Sequence, residues 1–408
     1  MILFLRLAWR NCLRNRRRTF LAGLAIGIGL AALIFSDAMI VGMGRSMVRT
    51  AIDTFLGQGQ IHFKGFRDTF EVDKVISGGN AVMQRLKGEP DIKNVAPRTM
   101  ALGMLTSPAN VTAIVIFGID PGLEPAVSKI DEAIIKGEYL TSHDQNKVLI
   151  GSKLADRLEV GIGDRVVVTV AQADNGDLSQ EMFRVGGIFQ LNMNEIDDNI
   201  IFILLEKSQI LLALPGGLHE IAFNFKNIDL DQDNVDDFWA QYSEDSNEAL
   251  SWKEILPELE AALYWSQYST GIIGVILFAI ITLGIMNTLF MSLYERMFEF
   301  GVLRAVGTRP VRMALMIVCE AGILSLISIF FGNIIGWMIS HSFSLYGINY
   351  TGVEFGGITF SEPIYPVVKT SQFVKYPIYL FTFTLLVSLY PALHAAKIVP
   401  TRAMRRSL

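Results

Sequence analysis

Four stretches of this chain are too long and too apolar for an ordinary soluble core: Phe20 to Val41, Thr270 to Leu293, Met313 to Ile339 and Tyr376 to Ala396. Each supplies about the 20 apolar residues that a helix, rising about 1.5 Å per residue, needs to cross roughly 30 Å of hydrocarbon. Backbone amides and carbonyls find no water there and must pair within the segment, so all four are predicted to be membrane-spanning helices. Composition adds one point. Only 18% of the 408 residues are charged and 51% are hydrophobic, against roughly 25% and 45–50% in soluble domains. Disordered, collagenous and small disulfide-stapled chains are excluded. The first apolar run is about twice the length of a secretory signal core, and Gly42-Met43-Gly44-Arg45 offers no clean cleavage site, so it is predicted to remain as an anchor.

Charge then orients the helices. Arg6, Arg10, Arg14, Arg16, Arg17 and Arg18 precede the first span, Arg296, Arg304, Arg309 and Arg312 separate the second from the third, and Lys397, Arg402, Arg405 and Arg406 follow the fourth. The positive-inside rule makes these three stretches, and therefore both termini, cytoplasmic. Residues 45 to 265 hold 19 basic against 34 acidic residues, a net of −15, and belong outside. The expected fold class is thus an α-helical membrane protein with four transmembrane helices plus a large extracytoplasmic α+β domain inserted between the first and second helices. The expected division is an interfacial helix at 1–18, spans at 19–44, 266–294, 313–340 and 376–396, an outer domain with stalk at 45–265, a cytoplasmic loop at 295–312, an outer loop at 341–375 and a cytoplasmic tail at 397–408. Arg6, Arg10 and Arg14 recur at helical spacing, which suits either an interfacial helix or a simple topogenic charge cluster. The basic groups flank membrane and meet anionic lipid, so nucleic acid is not an implied partner. The outer domain contains no cysteine, since Cys12 is placed inside and Cys319 within a span.

Within the outer domain, Arg165 to Val170 and Met182 to Val185 read as strands around a long hairpin with the polar tip Asp174, Asn175, Gly176, Asp177. Gly151 to Leu158 reads as a short helix and Gly161 to Asp164 as a turn. Trp252 to Tyr268 has near-helical spacing and is predicted to be a continuous stalk helix leading into the second span.

Signs of catalysis are scarce. A phosphate-binding loop needs Gly-Lys, and the chain has no such dipeptide. The five histidines are scattered and form no zinc signature, and Asp229 to Asp233 opens like a calcium loop but has Asn234 where Gly is needed. No metal site is expected. Two carboxylates sit in spans, Asp37 near an outer end and Glu320 about two turns into the third. An ionised carboxylate in hydrocarbon costs roughly 2.5–3.5 kcal/mol, so Glu320 is expected to face a partner, in a structural or gating role ahead of the alternative of proton transfer, and Asp37 to be hydrated. Gly23-x-x-x-Gly27 and Gly332-x-x-x-Gly336 permit close helix contact, within one chain or between two.

Asn287-Thr288, Glu295-Arg296, Glu299, Gly301, Leu303-Arg304-Ala305, Gly307 and Glu320 follow a pattern that resembles the FtsX-like permease family of ABC transporters, with Phe300 replacing the usual Ile. Leu7-Ala8-Trp9-Arg10-Asn11, Val148 to Ser152, Val160-Gly161-x-Gly163-Asp164 and Tyr390-Pro391-Ala392 through Pro400 to Met404-Arg405 agree, so the similarity extends over nearly the whole chain. The resemblance implies a permease subunit of the bacterial inner membrane. A separate dimeric ABC ATPase would hold ATP and Mg, and this chain no cofactor. Residues Glu295, Arg296, Glu299, Gly301, Arg304 and Gly307 would form the ATPase-coupling segment, and a second permease copy or paralogue would complete the assembly. By the same resemblance the subunit releases or exports lipoprotein or another amphipathic substrate, the hairpin tip being the candidate contact for a periplasmic carrier. The family's other branches, FtsX-type mechanical or signalling scaffolds and MacB-like efflux permeases, are the alternatives.

Overall fold

The computed structural model describes residues 2–14, 16–226, 236–244, 246–355, 358–360 and 362–397. Pro400, Arg402, Met404, Arg405 and Arg406, together with Asp229 to Asn234, lie outside the described residues. The chain divides into two units. One comprises Met1–Gly44, Leu263–Asn349 and Pro363–Leu408, the other Arg45–Ala262 with Tyr350–Glu362.

Among the described residues the first unit is built from six helices: α1 (Ile2–Arg14), α2 (Arg16–Ala51), α3 (Pro257–Glu295), α4 (Met297–Ala305), α5 (Pro310–Tyr346) and α6 (Gln372–Ala396), of which α2 and α3 run past the unit boundary. Helices α2, α3, α5 and α6 are each long and apolar enough to cross a membrane. Their shared core holds Leu30, Ile34, Ile285, Leu324 and Leu380. One correction to the expected elements appears here. The helix predicted from Trp252 is broken: a short turn over Trp252–Ile255, closed by a Ser251/Glu254 capping box, ends at Leu256 before α3 begins on Pro257. Proline carries no amide hydrogen and fits the first turn of a helix rather than its interior, so it resets the helix there. Helix α1, over the stretch expected to be an interfacial helix or a topogenic charge cluster, packs against α5. Ala8 is fully buried against Ile323, some 20 Å along α5 from Pro310 at about 1.5 Å per residue.

Among the described residues the second unit is built on a ten-stranded sheet: β1 (Gly59–Phe63), β2 (Ile92–Thr106), β3 (Val111–Ile119), β4 (Ile134–Gly137), β5 (Lys147–Gly151), β6 (Arg165–Ala171), β7 (Leu178–Phe189), β8 (Ile200–Leu204), β9 (Glu220–Phe225) and β10 (Asn247–Ser251). Its order is β10-β1-β9-β2-β3-β8-β5-β7-β4, and β6 pairs with both β2 and β7. Strands β2, β3, β8, β5, β7 and β6 therefore close into a ring. Period-two alternation drives the closure. Val166, Val168 and Val170 are buried while Val167, Thr169 and Ala171 are not, and the buried set meets Phe183, Ile114 and Ile203 in one core. A second core under β1 and β9 gathers Ile61, Ile221, Phe223 and Tyr242. The hairpin is tighter than its sequence suggests. Pairing extends from Arg165↔Arg184 to Ala171↔Leu178, leaving only residues 172–177 as the turn, with Gly176 at φ +73°.

Candidate functional site

The segment between α3 and α5 folds around a buried arginine. Arg296 stands at the N-cap of α4, 5% exposed, where α3 ends and a new helix starts. Its Nε donates to Glu299 Oε2 at 3.0 Å and its Nη1 to Glu320 Oε2 at 3.1 Å, while Ser292 Oγ donates to Glu320 Oε1 at 2.8 Å. Its guanidinium also lies 5.1 Å from the centre of the Phe300 ring. An unpaired charge in such a place would cost several kcal/mol, so the two carboxylates are what allow Arg296 to be there. Arg14 Nη1 of α1 donates to Glu299 Oε1 at 2.8 Å, and Arg18 of α2 pairs with Glu295 of α3. One network thus joins α1 to α4 and α4 to α5, and a separate ion pair joins α2 to α3. Partial burial would raise the Glu299 carboxyl, but the hydrogen bonds and charges of Arg296 and Arg14 outweigh it and hold it below its ordinary value.

Helix α4 stops by its own chemistry. Gly307 has φ +96°, its N–H donates to the Arg304 carbonyl at 3.1 Å, and the Thr308 N–H donates back to the Leu303 carbonyl at 3.0 Å. This is a left-handed glycine termination that satisfies carbonyls the helix would leave bare. Gly301 and Phe300 face inward, Arg304 is half-buried with Nη1 donating to the Thr308 carbonyl at 3.3 Å, and Phe298, Val302, Leu303 and Val306 are exposed, Val306 by 82%. The segment is consequently fastened on one side and presents apolar side chains on the other.

The remaining sequence candidates fall elsewhere. Asp37 is half-buried and accepts a hydrogen bond from Gln372 Nε2 of α6 at 2.8 Å, so it is held by a side chain instead of water alone. The two glycine ridges face each other. A Cβ at Gly27 would lie 2.9 Å from the Ser328 carbonyl oxygen, one at Gly332 would lie 2.9 Å from the Gly27 carbonyl oxygen, and Gly23 and Gly336 abut Ile327 and Ala31. The motifs thus serve α2–α5 packing within the chain. Asp174, Asn175, Gly176 and Asp177 are exposed at the hairpin turn, where Asn175 and Asp177 hydrogen-bond each other.

Sequence reasoning missed a second ionic cluster, inside the sheet unit. Arg98 is fully buried, its Nε 3.0 Å from Glu124 Oε2, its Nη1 2.5 Å from Glu220 Oε1 and its Nη2 2.6 Å from the Phe55 carbonyl. Phe55 belongs to a π-helical turn, Ile52–Leu56, that directly continues α2, and the Arg98 guanidinium sits 4.1 Å over its ring. Gln60 Nε2 donates to the Leu56 carbonyl at 2.9 Å. The last carbonyls of that helix, which lack partners of their own, are satisfied by the domain core. Burial alone would lower the Arg98 pKa, but Glu124 and Glu220 raise it, so the charge is permanent. His62 next to the cluster is pushed down to about 3, chiefly by complete burial and then by Arg67. Alternating strand burial gave no hint that polar side chains from β1, β2 and β9 meet here.

Among the described residues, four membrane-length helices, a large sheet domain inserted between the first two, and a compact segment fastened between the second and third define a multi-pass membrane protein with a large inserted domain. The MacB-like periplasmic core domain family matches residues 19–235, more than half the chain, and the FtsX-like permease C-terminal family matches residues 271–400. The chain belongs to the FtsX-like permease family of ABC transporters. A lipoprotein-releasing system transmembrane protein LolC from Xylella fastidiosa is 22% identical over 78% of this chain and 78% of its own length. The corresponding LolE from Haemophilus influenzae is 21% identical over 79% of each. Among solved structures, the periplasmic region of MacB from Actinobacillus actinomycetemcomitans shares 13% identity, covering 50% of this chain and 94% of that one at a TM-score of 0.34. The protein is accordingly an inner-membrane transporter subunit.

Proposed function

We propose that this permease couples ATP hydrolysis by a separate, dimeric ATPase subunit, which binds ATP and Mg, to conformational work by its outer domain. That work releases lipoprotein or another amphipathic substrate from the inner membrane. The arrangement of α4 supports this most directly. The exposed Val302, Leu303 and Val306 offer an apolar docking edge, and the Arg14–Glu299–Arg296–Glu320 chain ties the same helix to α1 and α5, so a push on α4 is shared among helix ends. The clamp of Arg98 on the π-turn continuing α2 supports the further step, because motion of that helix end would load the sheet core through Phe55. Both termini, on this reading, lie in the cytoplasm. The resemblance to LolC and LolE supports lipoprotein as the substrate.

The reading predicts that the purified chain hydrolyses no ATP and co-purifies with an ATPase, and that Val306→Asp lowers that co-purification about tenfold, roughly 1.4 kcal/mol. ATP turnover by the isolated chain, or unchanged co-purification by the variant, would count against it. Depletion should strand mature lipoproteins in the inner membrane. An unchanged lipoprotein distribution with disturbed cell-wall cleavage would instead favour an FtsX-type regulatory scaffold.

A further inference from the structure

The closed ring of strands has an inner face filled by core and an outer face, and one wall of that outer face is bare. On β2, β3 and β7 the positions that alternate with the core carry Leu102, Met104, Val111, Leu178 and Met182, exposed by 51, 48, 55, 73 and 53%, and β6 adds the half-buried Val167, Thr169 and Ala171. Between residues 102–106, 111–115, 167–171 and 178–182 no outward position is charged, although residues 45 to 265 carry a net charge of −15. The registers make this one surface. Met104 lies beside Ala113 and Thr169, and Thr169 beside Gln180, as the middle row. Four residues along the strands from that row, past Val167↔Met182, the wall ends in the exposed pair Arg165↔Arg184, and past the other end the same hairpin turns through exposed Asp174 and Asp177.

We propose that this wall docks against the same wall of a second copy of the chain, about a two-fold axis running along the Met104 row. Such an axis reverses the strands and leaves the middle row in place, so Met104 meets its own counterpart. It also sets the Arg165/Arg184 end of each copy opposite the Asp174/Asp177 turn of the other, whereas an axis along the strands would oppose arginine to arginine. A lipid chain would be served by the apolar middle but has no use for oppositely charged ends. Elsewhere the acidic surface repels a second copy, and this neutral wall is where two can approach. At ~4.8 Å between strands and ~3.4 Å per residue the wall offers on the order of 300 Å², well short of the roughly 800 Å² per partner of a stable interface. The contact therefore forms only where tethering in one membrane assembly raises the effective concentration to about millimolar, which makes it a reversible contact.

The inference rests on the pairing of permease copies and not on the ATPase or the substrate. The test uses the full chain in native membranes, with two differently tagged copies and Cys12 and Cys319 replaced by serine. Met104→Cys should yield an oxidant-dependent cross-linked homodimer. Ile210→Cys, equally accessible at 69% exposure but outside the wall, should yield none. Arg184→Asp added to Met104→Cys should cut the cross-link at least fivefold, and Asp177→Arg added to both should restore it. If the tags do not co-purify, pairing itself fails and the proposal with it. If they co-purify but Met104→Cys cross-links no better than Ile210→Cys, or links only to a different protein, the wall assignment alone is overturned.

Discussion

Arg98 sits beyond the reach of solvent between two carboxylates and a helix-end carbonyl, and its replacement tests what it holds. Arg98→Met would keep much of the volume but leave Glu124 and Glu220 facing each other without a cation. Removing one partner of a buried ionic group costs about 3–5 kcal/mol, enough to consume much of the ~5–15 kcal/mol that stabilises a domain. Thermal unfolding of the full chain in detergent should show a fall of many degrees, with Arg98→Met/Glu124→Gln/Glu220→Gln recovering part of it. A single variant that melts with wild type would show that the cluster carries no strain-bearing role. None of this is visible in the sequence, because Arg98 lies 26 residues from Glu124 and 122 from Glu220, and no local period encodes such a meeting. Arg296 and Glu299 were more legible. They stand in a short basic loop between two spans, where a charged helix has few other uses.

Elements read from the sequence succeeded where one physical signal dominated and failed where two competed. Span lengths were set by apolar runs, and the four helices followed. Spacing alone predicts a continuous stalk from Trp252, whereas Pro257 forces the helix to restart. For the hairpin, polar turn residues suggested a long loop, yet Leu178, Gln180 and their neighbours pair on as strand because β6 continues opposite them. The glycine ridges could have served one chain or two, a choice only packing makes. Gly27→Leu tests that choice. Its Cβ would fall 2.9 Å from the Ser328 carbonyl oxygen and 3.1 Å from the Gly332 amide nitrogen, so backbone must move. Overpacking of this kind costs about 1–3 kcal/mol. Lower thermal stability and greater protease sensitivity are expected for Gly27→Leu in detergent, while Gly271→Leu, with nothing within 4 Å of its Cβ, should behave as wild type. Equal behaviour of the two variants would remove the α2–α5 contact from the account.

At the scale of the whole molecule, acid should weaken the sheet unit before it touches the general carboxylate population. His62 is fully buried, its Nδ1 3.0 Å from the His219 carbonyl and its Nε2 2.9 Å from Gln60 Oε1. Glu220, 3.8 Å away, would favour an imidazolium, but Arg98 already occupies that carboxylate and burial dominates, bringing the His62 pKa from 6.5 down to about 3. His219, stacked 4.9 Å from Phe66, is shifted the same way by burial, against the pull of the Val72 carbonyl and Asp73. With folded pKa values below the unfolded ones, the unfolded chain binds more protons in the interval between. The stability these groups contribute is complete above about pH 6.5 and is lost as pH falls toward the folded value, by at most ~1.4 kcal/mol per histidine per pH unit. Thermal midpoints of the full chain in detergent should decline from pH 7 to pH 5, where most carboxylates are still ionised. His62→Gln, which keeps hydrogen-bonding capacity without a titrating ring, should be less stable at pH 7 yet show a shallower decline. An identical slope in that variant would mean the imidazole is already charged in the native state, and that Glu220, rather than burial, sets its proton.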